Sequence, residues 1–152
     1  MSRESLKQDV NIFIQHKRDG KVIGEYAYHN VTTNTGKAGL AARMGTATNA
    51  VTYIGIGTGT TAESATDTTL QTEITTGGGA RAAATVTLVT TTLTNDTLQL
   101  LKTFTFSSSF SVSETASFDT STGGIMYNRK TFTAIPVVSG DQLTLIHQFK
   151  IS

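Results

Sequence analysis

The chain has 152 residues, about the length of one domain. Its 12 Lys and Arg residues nearly balance its 11 Asp and Glu residues, so electrostatics cannot be its main means of holding DNA or RNA. It contains no cysteine, which excludes disulfides, thiolate metal sites and thiol catalysis. No apolar run approaches the roughly 20 residues that cross a bilayer. We therefore expect neither a nucleic acid nor a membrane as a direct partner.

Serine and threonine fill 42 positions, beside seven Phe, four Tyr and a single Pro. A disordered chain would carry few aromatic and β-branched residues and a high net charge. Threonine and aromatic residues favour strands. The composition therefore predicts ordered antiparallel sheet.

The first 30 residues predict a β-hairpin behind a polar lead. The stretch from Met1 to Asp9 lacks the apolar core of a signal peptide, so we expect synthesis in a cytoplasm. Ile12 and Ile14 alternate with more polar neighbours and share one face of a strand. Arg18-Asp-Gly-Lys21 suits the tight turn of a hairpin. We assign residues 1–30 to an N-terminal hairpin arm.

One or two short helices are predicted after the hairpin. Asn34 is a good N-cap, and Gly45 is placed to end the helix that Asn34 begins. A second helical turn is predicted to begin at Asp67, with Leu70 and Ile74 facing inward.

Strand patterns fill the rest of the chain. A strand is predicted before the second helical turn, at Val51 to Gly57, and alternation of apolar and polar residues resumes after Gly77-Gly-Gly79. The later apolar rows are Ala84, Val86 and Leu88, then Leu98, Leu100, Phe104 and Phe106, then Phe110 and Val112, then the strands Ile125 to Thr133 and Leu143 to Ile151. Seven or eight strands at this spacing predict an all-β fold, an antiparallel, jelly-roll-like β-sandwich over residues 31–152.

Two features of the sequence superficially resemble enzyme motifs. Gly55-Ile-Gly57-Thr-Gly59 lacks the spacing of a dinucleotide or phosphate loop, and we interpret it as a bulge or a close backbone approach. His16, His29 and His147 are far apart, without a second ligand at helical spacing, and no G-x-S-x-G elbow is present. We interpret His147, in an apolar row, as a buried and hydrogen-bonded residue.

The densest acidic group is Glu63, Asp67 and Glu73. Such carboxylates could flank a sugar or bind calcium, but the spacing is not that of an EF-hand, and caps or solvated faces explain them better. The sequence predicts no enzyme, no cofactor, no metal site and no small-molecule substrate.

Basic residues gather at the tip of the first hairpin, where Lys17, Arg18 and Lys21 lie. A solvated turn is the default interpretation, and contact with an acidic partner surface is the alternative.

Seven segments carry a resemblance to a known group of proteins. They are Asn34-Thr-Gly36 with Leu40, Tyr53-Ile-Gly-Ile-Gly-Thr-Gly-Thr-Thr61, Asp67-Thr-Thr-Leu-Gln-Thr-Glu73, Arg81, Ser113-Glu-Thr-Ala-Ser-Phe-Asp119, Met126-Tyr-Asn-Arg-Lys-Thr-Phe132 and Ser139-Gly-Asp-Gln-Leu-Thr-Leu145. As a set, these residues resemble the small Thr- and Gly-rich β-sandwich structural proteins of tailed-bacteriophage virions, which include decoration, head-fibre, neck and minor tail proteins. The resemblance runs from about residue 30 to the end and departs from the family's pattern at Thr115-Ala-Ser-Phe118.

The resemblance implies a non-enzymatic virion component, synthesised in the host bacterial cytoplasm and present in many copies. Its expected partners are itself, as a trimer or ring, and other virion proteins such as the major capsid, portal or tail proteins. It would act as a decoration, cement or collar component on the capsid or head–tail region. The candidate docking or oligomer contacts are Ile12, Ile14, Lys17, Arg18, Lys21, Tyr26, Tyr28, Phe104 and Phe106.

Two alternative functions stay open from the sequence. The same fold could serve as a tail-fibre or baseplate element that contacts the host surface, which would predict exposed aromatic residues on loops. A carbohydrate-binding β domain is the other, although the chain has no tryptophan to form a binding platform.

Overall fold

The computed structural model describes residues 7–46 and 49–152. Over these residues the chain forms two five-stranded sheets and one helix. In chain order the elements are β1 (Gln8–Arg18), β2 (Lys21–His29), β3 (Val31–Thr32), α1 (Asn34–Gly45), β4 (Tyr53–Gly57), β5 (Ala82–Ala83), β6 (Thr85–Val89), β7 (Thr97–Thr105), β8 (Phe110–Phe118), β9 (Met126–Val137) and β10 (Gln142–Ile151).

The two sheets form an antiparallel sandwich, as predicted. Sheet A has the strand order β2-β1-β10-β7-β6, and sheet B has the order β3-β9-β8-β4-β5. The chain changes sheet after β2, β5, β7 and β9. The strands predicted by alternation are all present, while β3 and β5, at two residues each, are too short to produce an alternating pattern.

The core lies between the sheets and is built from the inward-facing residue of each alternating pair. Sheet A contributes Val10, Ile12, Ile14, Leu100, Phe104, Leu143, Leu145 and Phe149, and sheet B contributes Ile54, Ile56, Val112, Tyr127, Ile135 and Val137. None of these side chains is more than 4% exposed. Their burial is the main stabilising contribution to the fold.

The first hairpin is part of the sandwich and not a separate arm. β1 lies between β2 and β10, and Ile12 is paired with Tyr28 on one side and His147 on the other. Asp19 and Gly20 have the positive φ angles that the predicted tight turn requires. The structure therefore corrects the division at residue 30: residues 7–30 share the core of residues 31–152, because β1 supplies a central strand. Residues 1–6 lie outside the described part.

Neighbouring residues on β1 provide a test of this placement. Ile12 is 0% exposed and Phe13 is 39% exposed, on opposite faces of the same strand. We expect Ile12→Ala to lower the free energy of unfolding by about 2–5 kcal/mol, because it opens a cavity in the core. Phe13→Ala should lower it by less than about 1 kcal/mol. Urea denaturation of both variants measures the difference, and equal effects would contradict the placement.

The N-cap of helix α1 lies one residue before the predicted cap, Asn34, which is the first residue of the helix. Thr33 is the N-cap, and its side-chain oxygen accepts a hydrogen bond from the Gly36 amide at 3.0 Å. Gly36 lies so close to the Tyr127 backbone that a Cβ atom would collide with it. The glycine therefore allows α1 to lie directly against β9. Among the described residues, no helix has the length and apolarity needed to span a membrane.

The prediction of a second helix is wrong. Residues 58–81, here called the covering segment, contain no helix, although Leu70 and Ile74 are each 5% exposed and face inward as predicted. The Ile74 amide donates to the Ile56 carbonyl at 2.9 Å, and the Thr58 amide donates to the Thr72 carbonyl at 2.9 Å. Tertiary hydrogen bonds along β4 thus take the place of helical ones.

Candidate assembly surface

The outer face of sheet A carries a row of five residues, one from each strand, of which four are apolar and the fifth is a threonine. Cross-strand pairing places its members side by side in the order Ala27, Phe13, Ile146, Leu101 and Thr85. We call these five residues the outer row. Phe13 is exposed, and Ile146 and Leu101 are half-buried. A shallow groove of about 420 Å³ lies beside Phe13 and Ile146.

Polar rows flank the outer row on both sides. On one side the Gln148 amide donates to Gln99 at 2.7 Å, and on the other the hydroxyls of Thr103 and Thr144 are 2.8 Å apart. These side chains are held by each other, so contact with another molecule would freeze few additional rotamers. Apart from Glu25 and His29 on the edge strand β2, the three rows contain no ionisable side chain.

An uncharged apolar strip with a polar border is the composition of a protein–protein interface. The sequence analysis missed this surface because Ile12, Phe13 and Ile14 are consecutive apolar residues, so both faces of β1 look apolar locally. The signal that could have found it is the matching position of Phe13, Ile146 and Leu101 on three strands, which becomes visible only when the strand order is known.

Four of the predicted contact residues belong to the core instead. Ile12, Ile14, Phe104 and Phe106 are each 2% exposed or less. They lie on the inward faces of their strands or, for Phe106, directly after β7. The structure corrects these assignments, because side chains that fill the space between the sheets are unavailable to a partner.

Tyr26 and Tyr28 lie on β2 at the open edge of the sandwich. Both are half-buried, and the Tyr28 ring is stacked with Phe132 of β9 at a centroid separation of 5.4 Å. The Tyr26 and Tyr28 rings are 6.4 Å apart and nearly parallel. Burial raises the pKa of the Tyr28 hydroxyl. The two tyrosines close one side of the core and keep part of their surface accessible.

The three basic residues predicted at the hairpin tip have different environments in the structure. Arg18 forms two hydrogen bonds with Asp141, at 2.9 and 2.8 Å, and His16 lies 2.8 Å from the same carboxylate. The bonds from Arg18 and His16 hold the pKa of Asp141 well below its usual range. Arg18 thus joins the hairpin tip to the turn before β10. Lys17 is half-buried, and Lys21 remains exposed at the tip.

A buried ion pair that the sequence did not reveal lies in sheet B. Glu114 is 0% exposed and Arg129 is 2% exposed, and the Arg129 Nε donates to Glu114 at 2.9 Å. Arg129 Nη1 also donates to Asp67 at 2.8 Å. Three backbone amides of the covering segment, those of Gly59, Gln71 and Thr72, donate to the Glu114 carboxylate at 3.1, 3.0 and 2.7 Å.

Gly57 and Gly59 leave the space in which the Glu114 carboxylate meets the covering segment. A Cβ atom at Gly57 would collide with Glu114 and with the Thr72 carbonyl, and one at Gly59 would collide with Gln71 and Glu114. The predicted close backbone approach is therefore confirmed, with a carboxylate and not a phosphate as the group approached. The glycines indicated a close approach but not the acidic character of the approaching group.

The acidic group that we interpreted as caps or solvated surface forms three ion pairs. Glu63 pairs with Lys130 at 2.5 Å, Asp67 with Arg129 at 2.8 Å, and Glu73 with Arg81 at 2.8 Å. Burial favours a higher pKa for Glu63, but hydrogen bonds from Lys130 and Thr131 outweigh it and lower the pKa to about 2. Asp67 also accepts from the Ser64 amide at 2.8 Å within a turn, and it caps no helix. Each carboxylate fastens the covering segment to the sandwich or to itself.

His147 is buried and hydrogen-bonded, as predicted. Its ring nitrogens lie 2.6 Å from the Ser117 hydroxyl, 3.2 Å from the Thr115 hydroxyl and 3.3 Å from the Asn128 amide nitrogen. Although Ser, His and Asn together resemble a catalytic set, His147 is 0% exposed, so no substrate can reach it. Burial lowers its pKa to about 3.

The low pKa of His147 predicts a pH dependence of stability. As the pH falls below about 6.5, the unfolded chain gains a proton on this residue that the folded chain cannot hold until about pH 3. We expect His147 to lower the free energy of unfolding by up to about 1.4 kcal/mol per pH unit across this window. Urea denaturation at pH 7 and pH 5 should show a smaller loss for His147→Gln than for the natural chain. An unchanged loss would contradict the prediction.

In residues 7–46 and 49–152, no cluster of three or more His, Asp or Glu side chains is arranged to hold a metal ion. The carboxylates of Glu63, Asp67, Glu73, Glu114 and Asp141 are each engaged with a basic side chain. Comparison with protein-family models, curated protein sequences and solved structures gives no match.

Proposed function

We propose that the chain is a non-enzymatic structural protein of a tailed-bacteriophage virion. It assembles with copies of itself and docks on the capsid or head–tail region as a decoration, cement or collar component. The observation that carries the proposal is the outer row with its polar border, in which Glu25 and His29 are the only ionisable residues. The sequence resemblance to virion β-sandwich proteins, which runs from about residue 30, supports the phage setting.

Surface burial is the mechanism that this role requires. A stable protein–protein interface buries about 1,200–2,000 Å² in total. The outer row and its two flanking rows lie on the outer face of sheet A, and the outer row crosses all five strands. Because Glu25 and His29 are the only ionisable residues in these rows, docking would remove water from few ionic groups.

Buried polar contacts hold the covering segment in place, which also supports the proposal. The covering segment is fastened by Glu114 and by the ion pairs of Glu63 and Asp67. This fixes the backbone of sheet B without a disulfide. A unit whose shape changes little on docking loses little conformational entropy when it binds.

The experiment is incorporation into particles of the phage that encodes the chain. We expect mass spectrometry of purified particles to detect the protein in many copies, and immunogold labelling to locate it on the head or neck. Phe13→Glu, which places a charge in the outer row, should abolish incorporation while the protein remains folded. Val138→Glu is the matched control, because Val138 is 42% exposed and lies outside the outer row.

Absence of the protein from purified particles would overturn the proposal. Gold label confined to the tail tip would overturn the assignment to the head or neck and would favour a tail element that contacts the host surface. Normal incorporation of Phe13→Glu would show that a different surface docks.

A further inference from the structure

β6 is an unprotected edge in the described part of the molecule. Unpaired strand edges invite pairing with another chain, and proteins usually shorten, charge or cover them. β3 and β5 are two residues long. β2 carries Lys21 and Glu25 and has an irregular register with β1. β6 has neither protection: it is five residues long and contains no charged residue and no proline.

The long strand β9 shows how the same fold protects an edge elsewhere. Beyond its two-residue pairing with β3, the Thr131 amide donates to the Glu63 carboxylate at 3.1 Å. Further along, Pro136 has no amide hydrogen to offer. Along the described chain, β6 pairs with β7 on one side and has no strand on the other.

Apolar side chains are exposed on and next to β6. Val86 is 41% exposed, Leu88 is 61% exposed, and Leu93, in the turn after the strand, is 67% exposed. Val86 and Leu88 face the side on which sheet B lies, but β5 ends at Ala83 and does not extend far enough to cover them. The edge therefore combines unpaired backbone with uncovered aliphatic surface.

We infer that β6 pairs antiparallel with β6 of a second copy of this chain, around a two-fold axis at Thr87. This inference rests on the proposed assembly function and names the contact between copies. The order Thr85-Val-Thr-Leu-Val89 is self-complementary about its centre. In this register Val86 lies opposite Leu88 of the second copy, and Thr87 lies opposite Thr87 of the second copy.

Cross-strand pairs of this kind stabilise a sheet, and the two-fold relation forms the Val86–Leu88 pair twice and the Thr87–Thr87 pair once. The pairing would join two sheets of the sheet A type into a continuous ten-stranded sheet. The outer rows of the two copies would then lie on one uninterrupted face. A charged edge such as β2 is a poorer partner, because it would place Lys21 and Glu25 against uncharged residues.

Charge substitutions at Thr87 test the inference, because the two-fold axis brings each substituted residue opposite itself. By sedimentation velocity over a concentration series, we expect the natural chain to approach twice the monomer mass. Thr87→Lys and Thr87→Glu should each weaken association at least about tenfold, since like charges oppose one another. An equimolar mixture of the two variants should restore the dimer. Thr87 is exposed, so both variants should fold and keep the circular dichroism spectrum of the natural chain.

Ile23→Lys is the matched control, because Ile23 is 52% exposed on the opposite edge strand of the same sheet. This variant should still dimerise. A natural chain that stays monomeric at every concentration would overturn the inference, as would Thr87 variants that associate normally. Disruption by both variants without restoration in the mixture would also overturn it, since a head-to-tail ring would behave in this way.

The test of the β6 contact can fail independently of the test of the virion role. A monomer in solution that is incorporated into particles would remove the β6 contact and leave the virion role. A two-fold dimer that is absent from particles would remove the virion role and leave the β6 contact.

Discussion

Glu114→Ala is expected to lower the free energy of unfolding by about 3–5 kcal/mol, the usual effect of breaking a buried ion pair. The substitution leaves the Arg129 guanidinium buried with only Asp67 as an ionic partner. It also removes the acceptor for three amides of the covering segment. Domains of this size are stable by about 5–15 kcal/mol, so this loss is a large fraction of the total stability. Urea denaturation measures the change.

Glu25→Ala is the control for this prediction. Glu25 is an exposed glutamate on β2 whose side chain accepts a hydrogen bond from Gln15 at 3.2 Å. Its replacement should change the free energy of unfolding by less than about 0.5 kcal/mol. The double variant Glu114→Gln with Arg129→Met should recover part of the loss, because no unpaired charge remains buried. If Glu114→Ala and Glu25→Ala had similar effects, the assigned role of the buried pair would be wrong.

Removal of residues 1–30 is expected to abolish cooperative folding. The deletion takes away a central strand of sheet A, with Val10, Ile12 and Ile14 of the core. It also leaves β10 without its partner on one side. We expect the truncated chain to show no sigmoidal transition in thermal denaturation followed by circular dichroism. The hairpin alone should not fold, but a peptide of residues 7–30 should restore the transition when added to the truncated chain.

A change in the hairpin tip provides the control for the deletion. A short Gly-Ser insertion between Asp19 and Gly20 lengthens the turn and leaves the strands intact, and loop lengthening of this kind has a small effect on stability. That variant should unfold cooperatively. A truncated chain that melts near the natural temperature would show that residues 1–30 are dispensable after all.

Local patterns were sufficient to predict most strands. Alternation with a period of two is visible in a short window, as at Leu143 and Leu145, and the Asp19-Gly20 turn has its own chemistry. Strand partners are not local. Nothing near Ile12 in the sequence indicates that it pairs with His147, so the hairpin could not be distinguished from a free arm.

The candidate site was harder to predict for the same reason. Ile12 and Phe13 are both apolar, and only the completed sheet decides which of them faces the core. Glu114 looks like a polar residue in a strand until the covering segment supplies three amides to it. No helix forms at Asp67, because backbone amides that a helix would bond internally donate instead to Glu114 and to β4.

The position of β1 between β2 and β10 also constrains how the chain can reach its native state. β2 follows β1 directly, but β10 leaves the ribosome only after every other strand described here has been made. Until then Ile12 and Ile14 have no sheet neighbour on that side, and their apolar face is open to other nascent chains. Closing so distant a pair is slow, which lengthens the interval in which aggregation competes with folding. Yield at high expression should therefore depend on temperature and chaperones more strongly than the stability of the finished sandwich would indicate.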